Sequence, residues 1–316
     1  MAGSSSVFLR RRLVAIGVVL AVVLGVAAAA GAFSGEEPEP GERRSSSSAQ
    51  EPAAAPPELP RGGRAIFPKH RVVGFYGAPQ ARALGVLGIG SPDTAARKLI
   101  RQAKPYQRRR RPVLPALELI TVIANADAGE DGKYRSRQAN KVIRRYLRAA
   151  RRHKMLLVLD VQPGQSDFFT ETSRLERWLR EPDVGLAIDP EWRMQPGQVP
   201  GTVIGSVAPR EVNATSAWLA QLVQKHNLPQ KLFIVHQFTD DMVDDKRLKR
   251  RSELAMVLNA DGFGTPAAKI SKYKAFTRAS SYFQQGFKLF YEEDVGLMSP
   301  RRVMRLRPQP DVVMYE

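Results

Sequence analysis

Two carboxylates stand close together at the end of one apolar run, in the stretch VGLAIDPEWRM at residues 184–194. The run up to Ile188 has the composition of a strand buried on both faces, and Pro190 stops its pairing because proline donates no backbone N–H. Asp189 and Glu191 lie two residues apart, so an extended chain directs both side chains to the same side. Such a pair can perform acid–base chemistry if one carboxyl group stays protonated.

Seven further apolar runs resemble this one in composition and length. Together the runs predict strands at 71–77, 116–125, 155–162, 184–189, 231–238, 253–261, 286–293 and 311–316. Amphipathic segments between them predict helices at 91–106, 136–153, 173–181, 213–229 and 266–283. Alternation of strand and helix without hairpin signals predicts a parallel sheet with right-handed crossovers.

Eight strands favour closure into a single α/β barrel of the TIM type, the (β/α)8 fold, over an open doubly wound sheet. No GxGxxG motif follows the first strand, so a dinucleotide-binding fold is not expected. Residues 65–316 are therefore expected to form one barrel domain.

The first 64 residues differ in composition from the rest. The segment from Leu13 to Phe33 is apolar and uncharged, follows three arginines, and is long enough to span a bilayer. It predicts a retained membrane anchor, with a signal peptide cleaved at its Ala-rich end as the alternative. Residues 34–64 are rich in Pro, Ser, Glu and Gly and predict a disordered linker. By the positive-inside rule, the barrel should be extracytoplasmic, anchored through residues 13–33 or secreted.

The predicted barrel domain is strongly basic. The chain has 49 basic and 31 acidic residues, of which seven basic and six acidic residues precede Ala65, so residues 65–316 carry a net charge of +17. Basic runs at 108–111, 144–154, 246–251 and 301–307 should attract an anionic envelope polymer or lipid headgroups. Nucleic acid is not expected as a partner, because the domain is exported and the runs lack interleaved aromatic residues.

Polar side chains follow almost every predicted strand, at the face where barrel enzymes hold their active sites. They mix carboxylates with aromatic, amide and imidazole groups, which suits a polyhydroxylated ligand. The candidate ligand-binding residues are Tyr76, Asn125, Asp127, Gln162, Trp192, His236, Gln237, Asn259, Asp261 and Tyr291. The candidate catalytic carboxyl groups are Asp160, Asp189, Glu191, Glu292 and Glu293.

Other chemistries have less support in the sequence. The chain has no cysteine, which excludes disulfides and thiolate chemistry, and its four histidines are scattered without zinc-binding spacing. The stretch DAGEDG at 127–132 lacks the acidic third and twelfth ligands of a calcium loop. No metal and no cofactor are expected.

The strand order from Arg71 to Glu316, with carboxyl groups at strand ends, resembles the glycoside hydrolase barrels. In the large retaining clan of these enzymes the acid/base follows strand four and the nucleophile follows strand seven, and here those places hold Glu191 and Glu292 or Glu293. The Asp-x-Glu beginning at Asp189 is also similar to that of the family 25 lysozymes, which act on peptidoglycan. The chain differs from the clan in having Pro190 before Glu191, and from the lysozymes in having GFYG at its first strand.

The resemblance implies hydrolysis of a cell-envelope polysaccharide by paired carboxyl groups. Glu191, beside Trp192 and near Asp189, is the expected proton donor, because an apolar wall and a neighbouring negative charge both raise a carboxyl pKa. Glu292 or Glu293 would be the nucleophile or base, and Asp160 and Asp261 would hold sugar hydroxyls or tune the pair. Tyr76 and Trp192 would stack on sugar rings. The alternative is a non-catalytic barrel that binds glycan or scaffolds the envelope.

Overall fold

Eight parallel strands close into a barrel, as the sequence predicted. The computed structural model describes residues 55–278 and 283–316. Its strands are β1 (Arg71–Gly77), β2 (Val113–Ala124), β3 (Arg135–Arg137), β4 (Leu156–Val161), β5 (Val184–Ile188), β6 (Lys231–Gln237), β7 (Leu254–Ala260), β8 (Gln284–Leu289) and β9 (Val312–Tyr315). All of these except β3 pair in parallel, and β1 pairs with both β2 and β9, which closes the sheet. The short β3 is antiparallel to the end of β2 and stands outside the barrel's strand count.

Helices cover the outside of the barrel. They are α1 (Pro92–Ala103), α2 (Asn140–Arg152), α3 (Phe168–Ser173), α4 (Glu176–Leu179), α5 (Pro209–Lys225), α6 (Pro266–Thr277) and α7 (Pro300–Val303). Helices α1, α2, α4, α5 and α6 begin within four residues of the predicted starts, whereas α3 and α7 lie where no helix was predicted. Pro occupies the first turn of four helices, and Ser91 and Thr265 cap α1 and α6. Their apolar faces pack on the outward side chains of the strands in one continuous core.

The inside of the barrel is apolar at the end where the strands begin. Alternate residues of each strand point inward, and those in the first half of the strands form a cluster that includes Val72, Val158 and Ile234. Gly74 makes room for a large neighbour, since a Cβ there would lie 2.5 Å from Cε of Met314. The N-terminal face of the barrel therefore has a packed interior rather than a pore.

The segment that precedes β1 closes this N-terminal face. Leu59, Ile66 and Phe67 belong to the same apolar cluster as the inward residues of the strands. Arg61 donates to the carbonyl oxygens of Val113 and Lys154, which lie at or just before the start of two strands. Residues 55–64, which composition assigns to the linker, are thus packed against the barrel.

The predicted membrane segment at 13–33 and most of the predicted linker lie outside the described residues. Within the residues that are described, no helix is long and apolar enough to cross a membrane.

Lys231, the first residue of β6, is buried inside this framework with 1% of its surface exposed. Its ammonium group donates to the carbonyl oxygens of Glu181 and Val184, each at 2.8 Å. Burial lowers the pKa of Lys231 to about 7, against the smaller opposing effects of Asp183 and Glu181. The ammonium form is therefore disfavoured in the folded state relative to the unfolded chain.

We expect the stability of the protein to rise with pH between about 7 and the ordinary lysine pKa of 10.5, because the unfolded chain binds the Lys231 proton throughout that window. This group alone contributes about 1.4 kcal/mol per pH unit there. Below pH 7 Lys231 is protonated in both the folded and the unfolded state, so it no longer makes the stability depend on pH. Urea unfolding of Lys231→Met at pH 7 and 9 should show a smaller gain with pH than wild type. The exposed Lys225→Met is the control, and an unchanged slope in Lys231→Met would contradict the assignment.

Candidate functional site

A layer of charged and polar side chains replaces the apolar interior at the C-terminal face. The same inward-facing positions continue along the strands, but the residues change from aliphatic to ionisable. We call this set the charged layer; it consists of Tyr76, Glu118, Asp160, Asp189, His236, Asn259, Asp261, Lys288 and Glu316. All of them except Glu316 are at most 3% exposed. Five carboxyl groups are thus held inside or at the mouth of the barrel with two basic groups.

His236 joins two of these carboxyl groups. Its Nε2 lies 2.8 Å from Oε1 of Glu118, and its Nδ1 lies 3.2 Å from Oδ2 of Asp261 and from the amide of Asn259. Burial acts to lower the pKa of His236, but Glu118 and Asp261 outweigh it and raise the pKa well above its ordinary value. The imidazolium form therefore donates to a carboxylate on either side.

Lys288 is the second cation of the charged layer. Its Nζ lies 3.0 Å from Oδ2 of Asp261 and 2.7 Å from Oε2 of Glu316. The ammonium group also stands 3.6 Å from the centre of the Tyr76 ring, a cation–π contact. Lys288 thus compensates the negative charges of Asp261, which follows β7, and of Glu316, which follows β9.

Asp160 differs from the other carboxyl groups in its surroundings. Burial, and then the charge of Asp189 on the neighbouring strand, raise the pKa of Asp160 well above its ordinary value. Its Oδ2 accepts from the Tyr76 hydroxyl at 3.2 Å, and Gln162 donates to that hydroxyl at 3.0 Å. Its Oδ1 is buried and has no hydrogen-bond partner. Asp160 therefore holds its proton to a higher pH than an ordinary aspartate does, and its Oδ1 has no hydrogen-bond partner.

A β-bulge in β2 lies beside Asp160. The pairing of β2 with β4 shifts register between Ile120 and Val122, and the intervening Thr121 donates from its hydroxyl to the Asp160 carbonyl at 2.8 Å. Bulges bend a strand and redirect its side chains, and they recur next to functional sites. The bulge therefore fixes the backbone at Asp160.

The segment that follows β1 covers the charged layer. Leu84 packs with Tyr76 and Ile120, and a Cβ on Gly85 would lie 3.1 Å from Cγ of Glu316. Two side-chain links hold the segment to other parts of the mouth. Gln80 and Gln138 exchange amide hydrogen bonds of 2.7 and 2.9 Å, and Arg82 pairs with Glu292 at 2.5 Å. The described conformation is therefore closed above Asp160.

Several predicted site residues do lie at this face. Asp160, Asp189, His236, Asn259, Asp261 and Tyr76 belong to the charged layer, and Gln162 bonds to it. Glu191 is buried in a 3-10 turn, Pro190–Trp192, that directly follows β5, and its carbonyl accepts from the Gly205 amide at 2.7 Å. Trp192 is half-buried on the rim, and Gln237 is buried at the end of β6.

Other predicted site residues lie elsewhere. The seventh barrel strand, β8, ends at Leu289, so Glu292 and Glu293 fall in the turn beyond it. The Glu292 side chain is 54% exposed and pairs with Arg82 on the outside of the mouth. Tyr291 stacks on Tyr315 with ring centres 5.3 Å apart, in the layer between barrel and helices.

Two more predicted residues lie in the hairpin between β2 and β3. The Asp127 carboxylate accepts from the Gly129 amide at 2.7 Å and caps an exposed turn. The backbone N–H of Asn125 donates to the Tyr134 carbonyl, and the Asn125 side chain is half-buried at the base of that hairpin. Both residues shape the hairpin, and neither belongs to the charged layer.

Sequence reasoning missed Glu118, Lys288 and Glu316 as site residues. The predicted site residues lie at strand ends, whereas Glu118 and Lys288 lie inside apolar runs, in ALELITVIA and GFKLF. A charged residue at an inward-facing position of a buried strand is itself a signal, because such a charge needs a partner inside the barrel.

Three groups of the charged layer have the spacing of a metal centre: ligand atoms of Glu118, Asp160 and His236 lie within 4.8 Å of one another. Both nitrogens of His236 are nevertheless engaged with Glu118, Asp261 and Asn259, and Glu118 already has the imidazolium as its counter-ion. A metal would have to displace that proton. The arrangement fits a proton-carrying network better than a metal site.

No protein-family model and no curated protein matches this chain.

The ion pairs of Lys288 predict a large loss of stability in Lys288→Met. This change leaves Glu316 without its buried counter-ion and Asp261 with His236 alone, and breaking a buried ion pair typically costs roughly 3–5 kcal/mol. Adding Asp261→Asn should restore part of the loss, because the layer then holds one negative charge fewer. Urea unfolding measures all three proteins, with the exposed Lys141→Met as a control expected to stay within about 0.5 kcal/mol of wild type. A Lys288→Met protein as stable as the control would contradict the assignment.

Proposed function

We propose that the protein is an extracytoplasmic hydrolase that cleaves glycosidic bonds in a cell-envelope polysaccharide, through carboxyl groups of the charged layer. The observation that carries the proposal is that Asp160 and Asp189 lie, both buried, at the C-terminal ends of the neighbouring strands β4 and β5. Glycoside cleavage needs one carboxyl group that gives a proton to the leaving oxygen and a second that is ionised. The raised pKa of Asp160 beside Asp189 supports that division of roles.

In this mechanism the acid is Asp160 rather than Glu191, and the two residues lie on the same side of the mouth. Asp160 gives its proton to the glycosidic oxygen as the bond to the anomeric carbon breaks. Asp189 either takes a proton from the attacking water, which inverts the anomeric configuration, or attacks the anomeric carbon and forms a glycosyl ester. In the second case water, deprotonated by Asp160, displaces Asp189 from the anomeric carbon, and the two inversions retain the configuration. The anomer first released from the substrate distinguishes the two courses.

The remaining residues take supporting roles in this proposal. Tyr76 holds Oδ2 of Asp160, so Oδ1 is the oxygen available to the substrate. Trp192 on the rim offers an aromatic face for a sugar ring. The substrate reaches Asp160 when the segment after β1 moves away from the mouth, because Asp160 has no exposed surface in the closed conformation.

A non-catalytic glycan-binding or scaffolding barrel is the second candidate function. The complete burial of Asp160, Glu118 and Asn259 favours it, since every group of the layer would then serve the interior of the barrel rather than a substrate. Half-buried Trp192 and the polar rim would remain available for a glycan. Hydrolysis separates the two functions, because both predict glycan binding and only the first predicts new reducing ends.

If Asp160 is the acid, Asp160→Asn should lower turnover by roughly 100-fold or more while keeping glycan affinity, because a positioned acid contributes about that much. Asp189→Asn should have a comparable effect, and Glu191→Gln tests the residue that the sequence favours. Glu58→Gln, an exposed position on the opposite face of the barrel, is the control and should keep the wild-type rate. The measurement is reducing-end release from peptidoglycan and other envelope polysaccharides, with thermal melts of every variant.

Binding without any release of reducing ends by the wild type would overturn the hydrolase and favour the binding barrel. A loss of activity in Glu58→Gln that equals the loss in Asp160→Asn would overturn the assignment of the acid.

The pH dependence of hydrolysis follows from the same pKa. Asp160 acts only while protonated, so the rate should be sustained below its raised pKa and fall as pH rises through it. That alkaline limb should lie well above the ordinary aspartate pKa of about 3.9. An activated aryl glycoside, whose leaving group needs no proton, provides the control because its cleavage should lack the limb. A limb of equal position and size with both substrates would contradict the assignment.

A further inference from the structure

Most of the basic runs precede strands of the barrel, and this position places them at one end of the molecule. In a barrel of parallel strands, the residues just before each strand lie at the N-terminal face, opposite the mouth. Arg108–Arg111 precede β2, Lys154 precedes β4, and Lys69 precedes β1. Arg250 lines a surface pocket at this face together with Phe67 and Arg111.

These cations form a basic patch at the N-terminal face. The patch consists of Arg61, Lys69, Arg108, Arg109, Arg110, Lys154 and Arg250, all exposed. Most acids nearby are already engaged: Asp311 pairs with Arg111, and Glu181 and Asp183 pair with Arg151. Among the described residues, no ion pair joins a member of the patch to an acidic side chain. Glu58 and Glu253 also lie at this face, but the seven cations outnumber them, so the surface keeps a net positive charge.

The chain leaves the barrel toward its N-terminus at this same face. Pro57, close to the first described residue, accepts a hydrogen bond from Arg64, and Arg64 also donates to Asn227 and Leu228 just before β6. Residues 34–54 join this point to the apolar segment at 13–33. Even fully extended, a stretch of roughly 20 residues spans no more than about 75 Å. An anchored apolar segment would hold the basic patch within reach of the lipid surface.

We propose that the basic patch docks on an anionic lipid bilayer and so orients the mouth of the barrel away from the membrane. Anionic headgroups attract clusters of Lys and Arg within a Debye length of the surface, and the patch supplies seven such side chains on one face. Lipid is favoured over a soluble polyanion because the patch surrounds the point where the chain runs toward the apolar segment. The orientation is independent of whether the charged layer is catalytic.

Single-cysteine labelling tests the orientation, since the chain contains no cysteine of its own. The full chain is reconstituted in nanodiscs of phosphatidylcholine, with or without about one-third phosphatidylglycerol and with nitroxide-labelled headgroups as quencher. One fluorophore is attached at Ser252→Cys on the N-terminal face, and another at Val295→Cys, which is 63% exposed in the turn after β8. We expect quenching at residue 252 in anionic discs, lost in high salt, and little quenching at residue 295.

The triple variant Arg108→Gln, Arg109→Gln, Arg110→Gln should lower the docking equilibrium by roughly 100-fold, because each cation near an anionic surface contributes about fivefold. The matched control removes three charges from the flank of α2, with Lys141→Gln, Arg144→Gln and Arg145→Gln, and should dock like wild type. Equal quenching of both labels, equal loss in both triple variants, or no dependence on anionic lipid would overturn the proposal. Binding of soluble polyglutamate to the patch, without binding of the patch to anionic discs, would also overturn the proposal.

Discussion

The ion pairs of His236 and Lys288 with buried carboxylates are the interactions on which the C-terminal half of the barrel depends. A carboxylate moved out of water without a partner costs far more than the net stability of a domain, so a layer with five carboxyl groups needs cations or protons inside it. His236 supplies one cation between Glu118 and Asp261, and Lys288 supplies another between Asp261 and Glu316. The carboxyl groups outnumber these cations, and the pKa of Asp160, raised by burial and by Asp189, is one result.

The two halves of the barrel interior have different physical tasks. The half at the N-terminal face is aliphatic, sealed by Leu59, Ile66 and Phe67, and stabilised by burial alone. The half at the C-terminal face exchanges that burial for polar contacts whose geometry must be right, because each unsatisfied group there costs free energy. A rigid apolar base is what lets the charged layer hold fixed positions. The close packing of the interior also accounts for glycine at positions 74 and 286, where a Cβ would meet Met314 or Asn259.

The sequence was sufficient for the barrel but only partly for the site. Alternating apolar strands and amphipathic helices are local patterns, and all eight barrel strands were predicted from them. Strand ends were harder, because LFYEE continues to favour a strand where β8 stops at Leu289, and Glu292 consequently turns outward to Arg82. The partnership of Glu118 with His236 spans 118 residues and depends on barrel closure, which no local pattern encodes. Leu59 likewise lies in a Pro-rich stretch whose packing only the closed barrel reveals.

Barrel topology also gives the molecule two electrically different ends. Residues that follow the strands meet at the mouth, where Asp189, Asp261 and Glu316 concentrate negative charge. Residues that precede the strands meet at the opposite face, where Arg108–Arg110 and Lys154 concentrate positive charge. A protein with its net charge of +18 spread evenly would have no preferred side toward an anionic surface. Separation along the barrel axis creates one, and the positive end is also the end from which residue 57 leads back along the chain toward its N-terminus.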